Sequence, residues 1–369
     1  MSYYQLVKEY EEYDFDGFFQ SRSEDDVLAV IDKERLSTED YLTLLSPAAG
    51  ACLEEMARKA QEVTWCHFGK SISLYTPLYL ANYCENHCLY CSFSAKQHLS
   101  RKKLSPEEIK AEAEAIAGQG FQDLLILTGE SHAQTPVEYI AESCGILREY
   151  FPALGIEVYP LTVAEYEMVV AAGADYLTMY QEVYREEAYL SLHPAGPKRD
   201  YRFRLEAPER AAAAGFRSVS VGALLGLADW RRESFFTGLH VQYLNKHYPG
   251  VETGLSTPRI RPNLGGFQPR VRVTDADLVQ IIMAHRLFLP RTGISLSTRE
   301  PAGLRDHLLG LGVTRISAGS VTAVGGHAAA AEAEAEQFVP DDHRSVSQVK
   351  AAIIASGHQP VFKDWHRLW

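Results

Sequence analysis

The strongest constraint on the fold is an alternation. From Ser71 onward, short runs rich in β-branched and aromatic residues alternate with segments of helical periodicity. Eight strands can be placed in order: ISLYTPLYL (from Ile72), LLILT (124), GIEVYP (155), DYLTMYQ (175), SVSVGALL (218), VETGLSTPRI (251), GISLSTR (293) and VTRISAGS (313). Helical segments between them include TVAEYEMVVAAG, DWRRESFFTGLHVQYLNKHY, TDADLVQIIMAHRLFL and AGLRDHLLGLG. Ser105-Pro106-Glu107-Glu108 offers an N-cap, a proline at the first helical position and a glutamate three residues after the cap, and Gly118 or Gly120 ends that helix. Eight strands alternating with helices predict an α/β fold, a (β/α)8 TIM-type barrel over residues 71–320. An incomplete six-strand barrel with two added strands gives a similar pattern.

The flanks read differently. Residues 1–70 form an acidic, helical N-terminal extension, with one helix starting at Ser46-Pro47 and running through Met56 toward Val63. After Ser320 the pattern weakens: HAAAAEAEAEQF reads as a linker or short helix, Ser345–Ser356 as a helix closed by Gly357, and VFKDWHRLW as an aromatic tail. Residues 321–369 are expected to cap the barrel.

Charge narrows the partners. With 36 basic and 48 acidic residues the net charge is −12, which argues against a nucleic acid or an anionic membrane as the main partner. No stretch approaches the roughly 20 apolar residues of a membrane span. The N-terminus, MSYYQLVKEYEEYDFDGFF, lacks a basic region followed by an apolar core, so a cytoplasmic location is expected.

Three of the six cysteines crowd into Cys84-x3-Cys88-x2-Cys91. Three thiolates this close suit one metal centre, and soft thiolates select zinc, copper(I) or iron–sulfur clusters. A structural zinc wants a fourth ligand, for which His87 is the nearby candidate, and an electron-transfer ferredoxin wants four cysteines. Three ligands on a four-iron cube leave one iron open for a bound molecule. Cys52, Cys66 and Cys144 read as buried thiols.

The spacing, with Tyr90 before the last cysteine, resembles the signature of the radical S-adenosylmethionine superfamily. The longer string NYCENHCLYCSFS, with TGE, YQEVY, GALLGL, LSTREP, SAGS and PVFKDW, resembles the 2-iminoacetate synthase family, the tyrosine lyases of thiazole (thiamine) biosynthesis, from about residue 60 to the end. Residues from about 230 to 335 resemble the biotin- and thiamine-synthesis-associated region. The resemblance implies one [4Fe-4S] cluster on Cys84, Cys88 and Cys91, whose open iron chelates S-adenosylmethionine. One electron then cleaves the sulfonium, the 5′-deoxyadenosyl radical takes hydrogen from L-tyrosine, and Cα–Cβ cleavage gives 2-iminoacetate and p-cresol. It also implies a reductant such as flavodoxin or ferredoxin, and a thiazole synthase partner that receives the imine.

Nearly every motif falls at the C-terminal end of a strand, where barrel enzymes keep their active sites. Alternation puts Ser295, Ser297 and Arg299 on one face of strand seven, and Tyr176, Thr178, Tyr180 and Glu182 on one face of strand four. The resemblance assigns Glu130, Gln181, Glu182 and Tyr90 to S-adenosylmethionine, and Arg299, Ser297, Tyr180 and Ser320 to the substrate side, with Arg299 on the substrate carboxylate. In many relatives the acid motif reads Gly-Gly-Glu, and Thr128 replaces the first glycine here. Plainer roles compete: a helix cap for Glu130, a lumen hydrogen-bond network for Tyr180 to Glu182, salt bridges for Arg204, Arg259 and Arg261, and a loop position for His87. Three other functions remain in view. The tyrosine lyase of [FeFe]-hydrogenase maturation carries a second cluster on C-terminal cysteines, and this chain has none after Cys144. A radical tryptophan lyase and an iron–sulfur electron-transfer protein are the remaining two.

Overall fold

The structure, a computed structural model, describes residues 2–329 and 336–363. Eight parallel strands close into a barrel: β1 (Ser71–Ala81), β2 (Asp123–Thr128), β3 (Ala153–Glu157), β4 (Tyr176–Glu182), β5 (Ser218–Ala223), β6 (Glu252–Ser256), β7 (Gly293–Leu296) and β8 (Arg315–Ser317). They pair in sequence order, and β1 joins β8 on one side and β2 on the other. All eight expected strands are present. β6 stops at Ser256, earlier than expected, because Pro258 cannot supply a ladder donor.

Local chemistry sets the helix starts. Ser105 and Glu108 form the expected reciprocal cap around Pro106, and Thr162 with Glu165 and Thr274 with Asp277 do the same. The helix expected from Ser46 is broken. Pro47–Ala51 is a 3-10 turn, and a separate helix, Leu53–Phe68, starts after Cys52, whose φ of −108° and ψ of 23° interrupt the helical path. Cys66 sits on its outer face and is exposed, which corrects its assignment as a buried thiol; Cys52 and Cys144 are buried as expected.

The N-terminal extension packs outside the barrel. Tyr41 stacks on Phe288 at 4.2 Å between ring centroids, and its hydroxyl donates to the Ser234 carbonyl at 2.7 Å. The C-terminal part differs from the expected cap. The stretch before the last helix crosses the mouth: Gln337 N–H donates to Thr322 O (3.0 Å), Val339 N–H to Pro262 O (3.3 Å) and Asp341 N–H to Thr298 O (2.8 Å). The helix Val346–Ala355 then buries Val349 and Ile353, and leads to a short strand, β9 (Gln359–Val361), that pairs with Ser71–Ser73 at the opposite end. That helix completes the eighth βα unit, so it belongs to the outer ring rather than the roof. The alanine-rich segment 330–335 and the tail 364–369 lie outside the described residues.

Below the mouth the lumen is plugged. Arg315 donates to both carboxylate oxygens of Asp123 (2.8 and 2.9 Å), Tyr176 donates to Asp123 (2.7 Å), and the guanidinium lies over the Tyr75 ring at 4.3 Å. Burial would discharge Arg315, but Asp123 and the two tyrosines outweigh it and raise its pKa. The plug therefore separates the lumen at the strands' C-terminal ends from a second cavity at their N-terminal ends, lined by Ser73, Ser218, Gly254 and Arg315.

Candidate active site

Two chambers adjoin at the mouth. One is lined by Cys84, Cys88, Cys91, Glu130, Lys198 and Arg204. The other occupies the lumen, among Tyr90, Tyr180, Ser297, Arg299, Ser320 and Phe338. Cys91, Leu127, Glu157, Glu182, Lys198 and Gln337 line both and form the wall between them.

The cysteine loop leaves β1 and is held by its backbone. Glu85 N–H donates to Glu130 O (2.8 Å) and His87 N–H to Ala195 O (3.0 Å), while Arg101 donates to the carbonyls of Asn82, Phe93 and Ser94. His87 is a loop residue, as expected. Two glycines let the chain come this close. A Cβ on Gly129 would meet Tyr83 O at 2.2 Å, and one on Gly196, whose φ is +97°, would meet Asn86 Oδ1 at 2.5 Å.

Burial pushes the Cys88 thiol up to about 12 and Cys91 to about 11, with Lys198 opposing burial at both. Such thiols become thiolates only against added positive charge, which an iron centre supplies. Among the described residues no group of three His, Cys, Asp or Glu side chains could hold a metal ion. Three soft thiolates that share one chamber suit an iron–sulfur cluster with one open iron. The site's chemistry accords with a [4Fe-4S] cluster.

Glu130 does not cap a helix. Its carboxylate is buried in the cysteine chamber, accepts from Asn86 Nδ2 at 2.5 Å and keeps its other oxygen 4.0 Å from His132 Nε2. Glu182 faces it from β4 with a φ of +71°, the only non-glycine positive φ among the described residues, at a bulge in the β4–β5 pairing. A strained backbone of this kind re-aims a side chain. Glu182 is bound by Lys198 (2.7 Å) and Arg204 (3.6 Å). Burial raises its pKa, but the two cations outweigh burial and hold the carboxyl below its usual range. Carboxylates beside two cations suit a zwitterion, such as the amino-acid end of S-adenosylmethionine.

Alternation treats the other residues unequally. Tyr180 and Glu182 point into the lumen, and Gln181 between them lines neither chamber; its buried amide has no hydrogen-bond partner among the described residues. Neither chamber's lining supports the Gln181 assignment to the cofactor. Tyr90 borders the lumen, but its hydroxyl lies 2.7 Å from His193 Nε2, and His193 Nδ1 lies 2.7 Å from the Tyr189 carbonyl. Burial holds that imidazole neutral, with a pKa of about 3. A carbonyl only accepts, so Nδ1 carries the proton and Tyr90 donates to Nε2.

Arg299, Ser297 and Ser320 all line the lumen chamber. The Arg299 guanidinium lies 3.5 Å from the centre of the Phe338 ring and has no carboxylate partner among the described residues. Ser320 Oγ is buried without a hydrogen-bond partner among the described residues. Arg259 pairs with Glu300 and Asp275 and Arg261 with Asp341, the salt-bridge roles expected of them, whereas Arg204 joins the cysteine chamber through Glu182.

Glu157 and Lys198 were not foreseen. Glu157 ends β3 in the shared wall, and burial, reinforced by Glu182 and opposed by Arg299, raises its pKa to about 7. The signal was the one charge within GIEVYP, at the strand's C-terminal end. A carboxyl whose folded pKa lies above its unfolded value favours folding below the unfolded pKa, and loses that contribution as pH rises through about 7. Glu157→Gln is expected to stabilise the chain relative to the parent at about pH 8 and not at about pH 4, by on the order of 1–3 kcal/mol. Melting curves across that range check it.

Comparison with known proteins agrees with this geometry. Residues 78–235 match the radical SAM superfamily, and 256–359 match the biotin and thiamin synthesis associated domain, later than the expected 230–335. The chain is 41% identical to the 2-iminoacetate synthase of Escherichia coli (strain K12), over 92% of this chain and 90% of that one. Two solved structures of HydG, a maturase of the [FeFe]-hydrogenase, share the fold. One has a TM-score of 0.90 at 29% identity, covering 96% of this chain and 80% of the other. The second, from Carboxydothermus hydrogenoformans, has 0.86 at 33%, covering 98% and 83%. With three cysteines and a zwitterion-matched chamber at the mouth of a closed barrel, the chain belongs to the 2-iminoacetate synthase family of radical SAM lyases.

Proposed function

We propose that the chain cleaves the Cα–Cβ bond of L-tyrosine to 2-iminoacetate and p-cresol in the thiazole branch of thiamine biosynthesis. The observation that carries this reading is the shared wall, which sets a guanidinium with no carboxylate partner among the described residues beside the three-cysteine chamber. The [4Fe-4S] cluster and S-adenosylmethionine, when bound, supply a carbon-centred radical that takes a hydrogen atom. Cys84, Cys88 and Cys91 hold the cluster, while Glu130 and Glu182 with its cations hold the amino-acid end of the cofactor.

Arg299 takes the tyrosine carboxylate. Arginine's planar fork matches a carboxylate bidentately. Ser297, Ser320 and Tyr180 line the same chamber and supply hydroxyls around the substrate. The Phe338 and Gln337 roof and the Arg315–Asp123 plug keep water from the reacting bond. The flavodoxin- or ferredoxin-type reductant, the thiazole synthase partner and the cytoplasmic location follow from the family and belong to the same reading; among the described residues no helix is long and apolar enough to cross a membrane.

Arg299→Lys is expected to raise the tyrosine concentration needed by roughly ten- to hundredfold, since a charged hydrogen-bond pair is worth about 1.5–3 kcal/mol. S-adenosylmethionine binding and slow uncoupled cleavage survive. Anaerobic reconstitution with reductant, S-adenosylmethionine and tyrosine, followed by p-cresol analysis, tests both the function and the variant. Normal tyrosine binding by the lysine variant would remove Arg299 from the substrate site.

A further inference from the structure

Two segments at the mouth carry basic side chains and no acidic ones. Residues 92–106, which leave the cysteine motif, carry Lys96, Arg101, Lys102 and Lys103 and no acid. Residues 253–274 carry Arg259, Arg261, Arg270 and Arg272 and no acid. These two stretches hold eight of the 36 basic side chains and none of the 48 acidic ones, in a chain of net charge −12.

The loops meet over the cysteines. Leu264 N–H donates to Ser92 Oγ at 3.1 Å, the Phe267 ring lies 6.4 Å from the Tyr90 ring, and a Cβ on Gly265 would strike Gln97 Nε2 at 2.6 Å. Some of the cations are engaged locally: Arg101 by loop carbonyls, Lys102 by Glu108, Arg259 and Arg261 by carboxylates. Lys96, His98, Lys103, Arg270 and Arg272 remain exposed. The same region exposes two leucines, Leu89 at 38% inside the cysteine motif itself and Leu264 at 50%. Apolar side chains within a charged rim are the anatomy of a protein interface, and Leu89 lies between Cys88 and Cys91 in the chain.

We propose that this face docks an acidic one-electron carrier protein, which delivers its electron to the centre held by Cys84, Cys88 and Cys91. The proposal rests on the family reading of that centre. One electron leaves the carrier and one enters the centre; no atom is transferred. An acidic partner is repelled by the chain's overall charge, so a patch whose exposed Lys96, Lys103, Arg270 and Arg272 have no carboxylate partner among the described residues selects a single orientation, with the electron entering beside the cysteines.

The test uses the double variant Lys96→Glu/Arg272→Glu, one residue from each loop, neither with a hydrogen-bond or ion-pair partner among the described residues. The probe is an acidic flavodoxin in its hydroquinone form. Its binding is read by calorimetry and its electron transfer by anaerobic stopped flow, against dithionite as a small reductant. The parent is expected to lose flavodoxin affinity steeply with added salt, and the double variant to bind at least tenfold more weakly at low ionic strength. Reduction by dithionite and iron content stay unchanged. The neutral pair Lys96→Gln/Arg272→Gln falls between parent and double variant, which guards against misfolding of the charge-reversed chain. Equal affinity in parent and variants, or affinity indifferent to salt, overturns the docking face. Failure of dithionite to reduce the reconstituted parent would instead overturn the reading of the cysteine centre.

Discussion

Alanine at Cys84, Cys88 or Cys91 is expected to abolish S-adenosylmethionine cleavage, a loss of a thousandfold or more, and to strip most of the iron. Alanine at Cys52 or Cys144 leaves both intact. The asymmetry follows from placement. The first three line one chamber, whereas Cys52 and Cys144 are buried elsewhere and act as small apolar groups. A cube with one open iron has three protein ligands, so removing one leaves no site that retains it. Iron analysis of the reconstituted parent should give about four irons per chain. About eight irons would mean a second cluster and contradict the single-cluster reading.

Asp342→Ala is expected to cost about 3–5 kcal/mol of stability, because it leaves a buried guanidinium uncompensated. Arg305 is fully buried, and its guanidinium pairs with Asp342 and donates to the Ser317 carbonyl. Burial pulls the pKa of Arg305 below its usual value and Asp342 opposes it. Arg344 braces the same carboxylate at 2.7 Å and reaches Asp306 at 2.9 Å. This knot anchors the segment carrying Gln337 and Phe338 over the lumen. The variant should therefore also consume S-adenosylmethionine without tyrosine cleavage, as water enters. Urea unfolding gives the first quantity, and the ratio of 5′-deoxyadenosine to p-cresol the second. Replacing both partners, as Arg305→Met/Asp342→Leu, should recover most of the stability while leaving the roof loose, since the penalty belongs to the orphaned charge rather than to the pair.

The barrel, and the placement of the three cysteines, Glu130 and Arg299 at its mouth, were legible because each depends on short-range pattern: strand alternation, a three-cysteine spacing, a motif at a strand end. Gln181 shows the limit of reading motifs as blocks. It sits between two residues of the active site, yet a period of two turns it away from them. Glu157 and Lys198 escaped for the opposite reason. Neither has a motif, and their roles arise only when barrel closure brings β3 and the β4–β5 connection to one wall. Within the expected cap, residues 321–369, the stretch 337–341 crosses the mouth, whereas the last helix looks like a cap in sequence but leads to β9, which pairs with the start of β1.

The wall between the chambers also divides the chain along its length. Apart from Gln337, every residue lining the cysteine chamber lies between Cys84 and Arg204, whereas Pro258, Ser297, Arg299, Ser320 and Phe338 line the lumen alone. On the proposed assignments radical generation is encoded upstream, while ten of the seventeen described residues that line the lumen alone lie after Leu224. Inheritance can vary one without the other: a lineage that rewrites the second half keeps its ignition and changes its fuel. Swapping residues after about 250 between homologues should accordingly transfer substrate preference while cofactor binding stays with the recipient.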